Sequence, residues 1–135
     1  MTNTAPWAKN YIGIPFVSGG RDRSGLDCYG LLRLVLSEQF GKELPALSSE
    51  YSSADDFIET EKVLSAHRPL LAGRQVESPE PGDICVIKYM GFPSHVGIYV
   101  GDGLVLHTLR ATWSVLQRCG DPHLKGRIEG WYRVN

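Results

Sequence analysis

From residue 84 onward the chain is a succession of short runs rich in β-branched and aromatic residues, at 84–89, 94–100, 103–109, 112–118 and 128–133. Connections such as Met90-Gly91-Phe92-Pro93 and Gly101-Asp102-Gly103 are too short to hold a crossover helix, so neighbouring strands must pair antiparallel. Pro79, Pro81 and Gly82 mark where this pattern begins. The chain before them reads as helical. Pro6 opens a short helix through Tyr11, with Thr4 or Asn3 as its cap and Gly13 as its end. Residues 13–27 read as loop. Between Cys28 and Phe40 the apolar positions Leu31, Leu32, Leu34, Val35, Leu36 and Phe40 cover more than one helical face, which predicts a buried helix stopped by Gly41. Ser53 before Ala54-Asp55-Asp56 predicts the start of an amphipathic, peripheral helix running to about His67. Helices first and a meandering sheet afterwards give an α+β fold, one domain over 1–135, with the buried helix packed on a sheet of about five strands.

Charge and composition narrow the partners. Fourteen basic against 15 acidic residues give a net charge of −1, which supplies neither the field that grips a phosphate backbone nor a polybasic membrane patch. Nucleic acid and membrane are therefore not expected partners. The opening Met1-Thr2-Asn3-Thr4-Ala5-Pro6-Trp7 lacks the basic-then-apolar order of a secretory signal, so the expectation is synthesis into the cytoplasm. The three cysteines form no Cys-x-x-Cys pair and are read as reduced thiols.

Chemistry concentrates at Cys28, where a polar loop gives way to the buried helix. A thiol in the first turn meets unpaired N–H groups and a partial positive charge, which favour the thiolate. Asp27 is the expected N-cap; its charge opposes the thiolate, so its contribution must be positional. Two histidines follow on predicted strands, His95 and His107. A cysteine followed by two histidines suggests thiol-dependent acyl transfer, most simply amide hydrolysis. Gly101 is the midpoint of the histidines. A hairpin centred there, with an odd number of loop residues, opposes them directly, with Cβ atoms roughly 4.5–5.5 Å apart, whereas a loop of only Gly101 and Asp102 puts them on opposite faces. The same three side chains could instead hold zinc with one open position, although no fourth ligand or acidic base has suggestive spacing. Cys85 and Cys119 are read as structural, and His67 and His123 as solvated.

Gly13-Ile14-Pro15-Phe16, Gly19-Gly20, Gly25-Leu26-Asp27-Cys28-Tyr29-Gly30-Leu31, Pro81-Gly82-Asp83-Ile84, Ser94-His95-Val96-Gly97-Ile98-Tyr99-Val100-Gly101 and Leu106-His107 together resemble the NlpC/p60 cell-wall peptidases in order and spacing. The run Gly20–Gly30 is similar to stand-alone versions encoded among phage-tail and gene-transfer-agent genes. The resemblance implies a papain-like fold and a cysteine endopeptidase that needs no cofactor or metal. It also implies a peptidoglycan stem-peptide substrate, cut next to D-glutamate and a diamino acid. Cys28 would be the nucleophile, His95 the general base and acid, and His107 the group orienting His95. Phe16, Arg21, Arg23, Asp27, Tyr29 and Ser94 are the candidate substrate contacts, the two arginines as a clamp on stem-peptide carboxylates. Phe16 stands where many relatives have tyrosine, and Tyr29 where serine is common. Phage tail proteins are further candidate partners, with delivery to the wall by a tail. Two other functions stay open: a tail adaptor keeping the fold, and an acyltransferase using the same thiol.

Overall fold

The computed structural model describes residues 4–44, 74–89, 91–109 and 112–134. The helix expected from Ser53 to His67 lies outside these residues. A 3₁₀-helix, Pro6–Tyr11, opens the description. Its N-cap is Ala5, without a side-chain cap. Thr4 was expected there, but its hydroxyl is donated to Asp102 Oδ2 at 2.8 Å, which ties the chain start to a hairpin turn.

Helix α1, Cys28–Phe40, starts and stops where its sequence dictates. Asp27 is the N-cap in extended conformation, and its Oδ1 accepts the Gly30 N–H at 2.8 Å. Gly41 ends the helix in the left-handed region, φ 62°, where a glycine carries no Cβ penalty. Tyr29, Leu31, Leu32, Val35 and Leu36 are buried, in keeping with an apolar surface wider than one stripe. Gly30 has a packing reason of its own. A Cβ there would meet the Gly20 carbonyl oxygen at 2.1 Å, so the glycine-rich loop can lie across the first helical turn only if position 30 has no side chain.

Within that loop, β1 (Arg21–Asp22) and β2 (Gly25–Leu26) form a small antiparallel pair. The main sheet has six strands: β3 (Arg74–Val76), β4 (Ile84–Tyr89), β5 (Phe92–Gly101), β6 (Leu104–Thr108), β7 (Ser114–Arg118) and β8 (Ile128–Arg133), in the order β3-β8-β4-β5-β6-β7. Every adjacent pair is antiparallel. The expected strands are all present, and β3 raises the number from about five to six. It is three residues long, with Arg74 and Gln75 exposed, too short and too polar to register as an alternating run.

Alternation along the strands divides the core. Ile84, Val86, Val96, Ile98, Val100 and Leu106 join the buried residues of α1 in the main cluster, while Cys85, Ile87 and Val105 point the other way into a smaller cluster with Leu124. Asp83, 2% exposed, holds the turn before β4 by accepting both Arg133 Nε and Arg133 Nη2 at 2.8 Å. Such a two-point grip fixes geometry as well as charge. Among the described residues no helix is long and apolar enough to cross a membrane.

Candidate active site

The turn between β5 and β6 is a two-residue loop, Asp102-Gly103, with φ of 54° and 71°, closed by the pair Gly101↔Leu104. By itself that loop would send His95 and His107 to opposite faces. A bulge prevents it. The next pairs are Tyr99↔Val105 and Ile98↔Leu106, so Val100 is an extra residue in β5 and the parity is restored. The histidines thus share the sheet face turned away from α1, as diagonal neighbours. The direct opposition expected from a turn centred on Gly101 is corrected to this offset arrangement.

Continuing the register sets Gly97 across from His107. A Cβ at Gly97 would lie 2.6 Å from Val105 Cγ1 and 3.2 Å from His107 Cβ. With no side chain at 97, His107 can lean across β5 towards His95. The rings meet edge to face, centroids 5.1 Å apart and planes at 70°, with His95 Nε2 and His107 Nδ1 separated by 2.9 Å. His95 is 7% exposed and His107 1%. Burial lowers the His107 pKa, opposed by its bond to Gln117, so this imidazole is held neutral.

Cys28 is half-buried at the head of α1 and packs against the main core. Its sulfur accepts hydrogen bonds from the N–H groups of Val96 and Tyr29. The Tyr99 N–H is donated to Asp83, on the β4 side, so in the alternating strand the Val96 N–H points towards β6. The β5–β6 pairs end at Ile98↔Leu106, which leaves that N–H for the sulfur. Cys28 therefore lies at the flank of β5, beside the peptide that joins His95 to Val96.

The thiol departs from the sequence expectation. Burial first, then the Asp27 charge, push its pKa up to about 12, and the two N–H donors and Arg21 offset this only in part. The helix start favours a thiolate, but desolvation outweighs it, and the resting group is the thiol. Asp27 is positional as expected. Besides capping the helix it accepts the Gly19 N–H at Oδ2 and Arg21 Nη1 at Oδ1, both at 2.9 Å, which pins the glycine-rich loop to α1.

The candidate substrate contacts divide. Arg21 is turned inwards on Asp27, with its guanidinium 5.2 Å from the centre of the Tyr29 ring. Tyr29 is itself 4% exposed and part of the core. Arg23 reaches Glu38 at 2.9 Å and sits over the Tyr11 ring. Both arginines thus hold the loop to the helix. Phe16 is half-buried and bridges to Leu26, two residues before Cys28, so it can form one wall of the site. Ser94 belongs to β5, and its side chain is outside the described residues.

One residue next to His107, Gln117, had no reading in the sequence. Gln117, on β7, accepts from His107 Nε2 at 2.7 Å. His123, expected to be merely solvated, is exposed but lines a cavity of about 320 Å³ together with His107, Gln117 and Arg127. No spacing signal marks Gln117. It meets His107 only because β7 pairs His107 with Val115 and Val105 with Gln117, a diagonal contact across strands. Among the described residues no three His, Cys, Asp or Glu side chains are grouped so as to hold a metal ion.

Known proteins share this arrangement of elements. The chain is 24% identical over 134 residues to the murein DD-endopeptidase MepS/murein LD-carboxypeptidase of Escherichia coli K12, covering 99% of the chain and 61% of that protein. It is 25% identical over 131 residues to the gamma-DL-glutamyl hydrolase of Bacillus subtilis, covering 95% of the chain and 28% of that protein. The chain thus spans less than two thirds of the length of either relative. A crystal structure of an NlpC/P60 family protein from Bacillus cereus has the same fold, with a TM-score of 0.67 at 21% identity over 93% of this chain and 37% of that one. The family model for NlpC/P60 matches residues 13–119, taking in the glycine-rich loop, α1 and strands β4 to β7. The chain belongs to the NlpC/P60 family.

Proposed function

We propose that this chain is a cysteine endopeptidase that hydrolyses amide bonds in peptidoglycan stem peptides, with Cys28 as nucleophile, His95 as general base and acid, and His107 as the group that orients His95. The observation that carries the reading is the 2.9 Å contact between His95 and His107, built beside the peptide whose N–H holds the Cys28 sulfur. Family membership and the murein endopeptidase named among its relatives support the substrate class.

Because the resting thiol is neutral, its proton must leave as the sulfur attacks. His95 Nε2 is engaged by His107, so Nδ1 is the nitrogen that takes it. The sulfur–carbon bond forms and the carbonyl electrons move to oxygen, with the Cys28 backbone N–H at the helix start as the donor for the oxyanion. Collapse expels the amine, which takes the proton back from His95, and leaves a thioester on Cys28. Water, deprotonated by the same imidazole, releases the acid and restores the thiol.

Cleavage next to D-glutamate and a diamino acid, and deployment from a phage tail, complete the proposal. The words of Gly20–Gly30 support the tail setting. The test is a digest of purified peptidoglycan analysed by mass, comparing wild type with Cys28→Ala. Stem-peptide fragments from the wild type alone, unaffected by EDTA and abolished by iodoacetamide, are expected, and their masses name the scissile bond. Peptide transfer to an added amine with no hydrolysis would select an acyltransferase, and no reaction at all would favour a tail adaptor.

A further inference from the structure

We propose that Gln117 is a positioning residue that sets the tautomer of His107 and, through it, which nitrogen of His95 carries the lone pair that acts as a base. The inference rests on reading His95 as the base and supplies a member of the site beyond the cysteine and two histidines.

Gln117 Oε1 can only accept, so His107 Nε2, 2.7 Å away, carries the hydrogen between them. His107 is 1% exposed and its pKa is lowered by burial, so it is neutral and has one N–H. Its Nδ1 is therefore a lone pair, and His95 Nε2, 2.9 Å from it, must be the donor. A neutral His95 with its hydrogen on Nε2 has its lone pair on Nδ1, the nitrogen that Cys28 needs. Both imidazoles point their hydrogens the same way, from His95 towards Gln117.

The opposite arrangement is the reason Gln117 matters. If His107 carried its hydrogen on Nδ1, it would donate to His95 Nε2, consume the His95 lone pair and leave a hydrogen on His95 Nδ1, the nitrogen that must take the thiol proton. A neutral imidazole in a buried site has no intrinsic preference large enough to forbid this, and wrong-tautomer variants of related triads lose most of their turnover with geometry intact. An acceptor on β7 that meets His107 Nε2 excludes that state.

The test uses the full chain with ¹⁵N-labelled histidine and a defined stem peptide. In the wild type the NMR spectrum should show His107 protonated at Nε2. In Gln117→Leu, similar in size and without an acceptor, His107 should shift towards the Nδ1–H form while His123 is unchanged. Turnover kcat should fall by about 10²–10⁴-fold, the scale of a general base, with KM unaltered. Gln117→Glu restores an acceptor, so it should recover the Nε2–H signal and return kcat towards wild type at mildly alkaline pH. Its carboxylate should also move the acid limb of the pH profile upward by stabilising the His107 imidazolium. An Nε2–H signal and kcat both unchanged in Gln117→Leu would overturn the proposal, as would loss of that signal in Gln117→Glu. The tautomer is read without turnover, so an inactive wild type would sink the peptidase reading and leave the assignment of Gln117 to be decided by the spectra.

Discussion

The two faces of strand β5 lie one residue apart and have different chemistry. Val96, Ile98 and Val100 point to α1 and join an apolar cluster that runs from the 3₁₀-helix to β8. His95 and Gly97 point the other way, where the ring of His107 takes the space that a side chain at 97 would fill. One face holds the fold by burial, and its contribution scales with apolar area. The other positions protons through distances near 3 Å, and a vacancy matters there as much as a group. The Val96 N–H joins the two, since it belongs to a core residue, follows His95 in the chain and is donated to the Cys28 sulfur.

If the faces have separate jobs, substitutions on them should separate activity from stability. The largest effect is expected at His95. Replacing it by alanine removes the proposed base and should lower kcat by at least about 10²–10⁴-fold, with a thermal midpoint close to wild type. Ile98→Ala, three residues along on the core face and fully buried, should do the reverse. It should cost about 2–5 kcal/mol in a denaturant titration and leave kcat per folded molecule unchanged. Comparable losses of both quantities in both variants would show that the faces are not independent.

The smallest effect sharpens the position of the sulfur. The Asp27 charge raises the thiol pKa, so Asp27→Asn should lower that pKa; asparagine still caps the Gly30 N–H but sets an NH2 against the Gly19 N–H that Oδ2 accepts, so some stability should be lost with it. Iodoacetamide should then alkylate Cys28 faster at a given neutral pH than in the wild type, with the helix intact by circular dichroism. The sign for stability follows as well. A thiol raised from 9.0 to about 12 in the folded state binds its proton more tightly there than in the unfolded chain. That contribution is fully present below pH 9 and is lost as pH rises towards 12. A slower alkylation in Asp27→Asn would place the control of the thiol elsewhere.

Much of the fold was legible because each local signal had one reading. The strand run 84–89 and the helix start at Cys28 follow from punctuation by proline, glycine and aspartate together with periodicity. What escaped depends on relations between strands. β3 is recruited by β8 and has almost no pattern of its own. The bulge at Val100 decides which face His95 occupies, yet valine there looks like any other β residue. Gln117 comes to meet His107 only through the β6–β7 register. The thiol illustrates a competition of magnitudes, since the helix start was visible in the sequence and the desolvation that exceeds it was not. Arg21 and Arg23 suggested a ligand clamp for a similar reason. Their partners Asp27 and Glu38 are set by how the loop folds back on α1.

The central claim is that substrate becomes covalently attached to Cys28 through a proton transfer to His95, and trapping of the thioester tests it most directly. Incubating the chain with a defined stem peptide and hydroxylamine should yield the peptide hydroxamate alongside the hydrolysis product, in step with turnover, and neither product from Cys28→Ala. Hydrolysis that persists in Cys28→Ala would contradict the account.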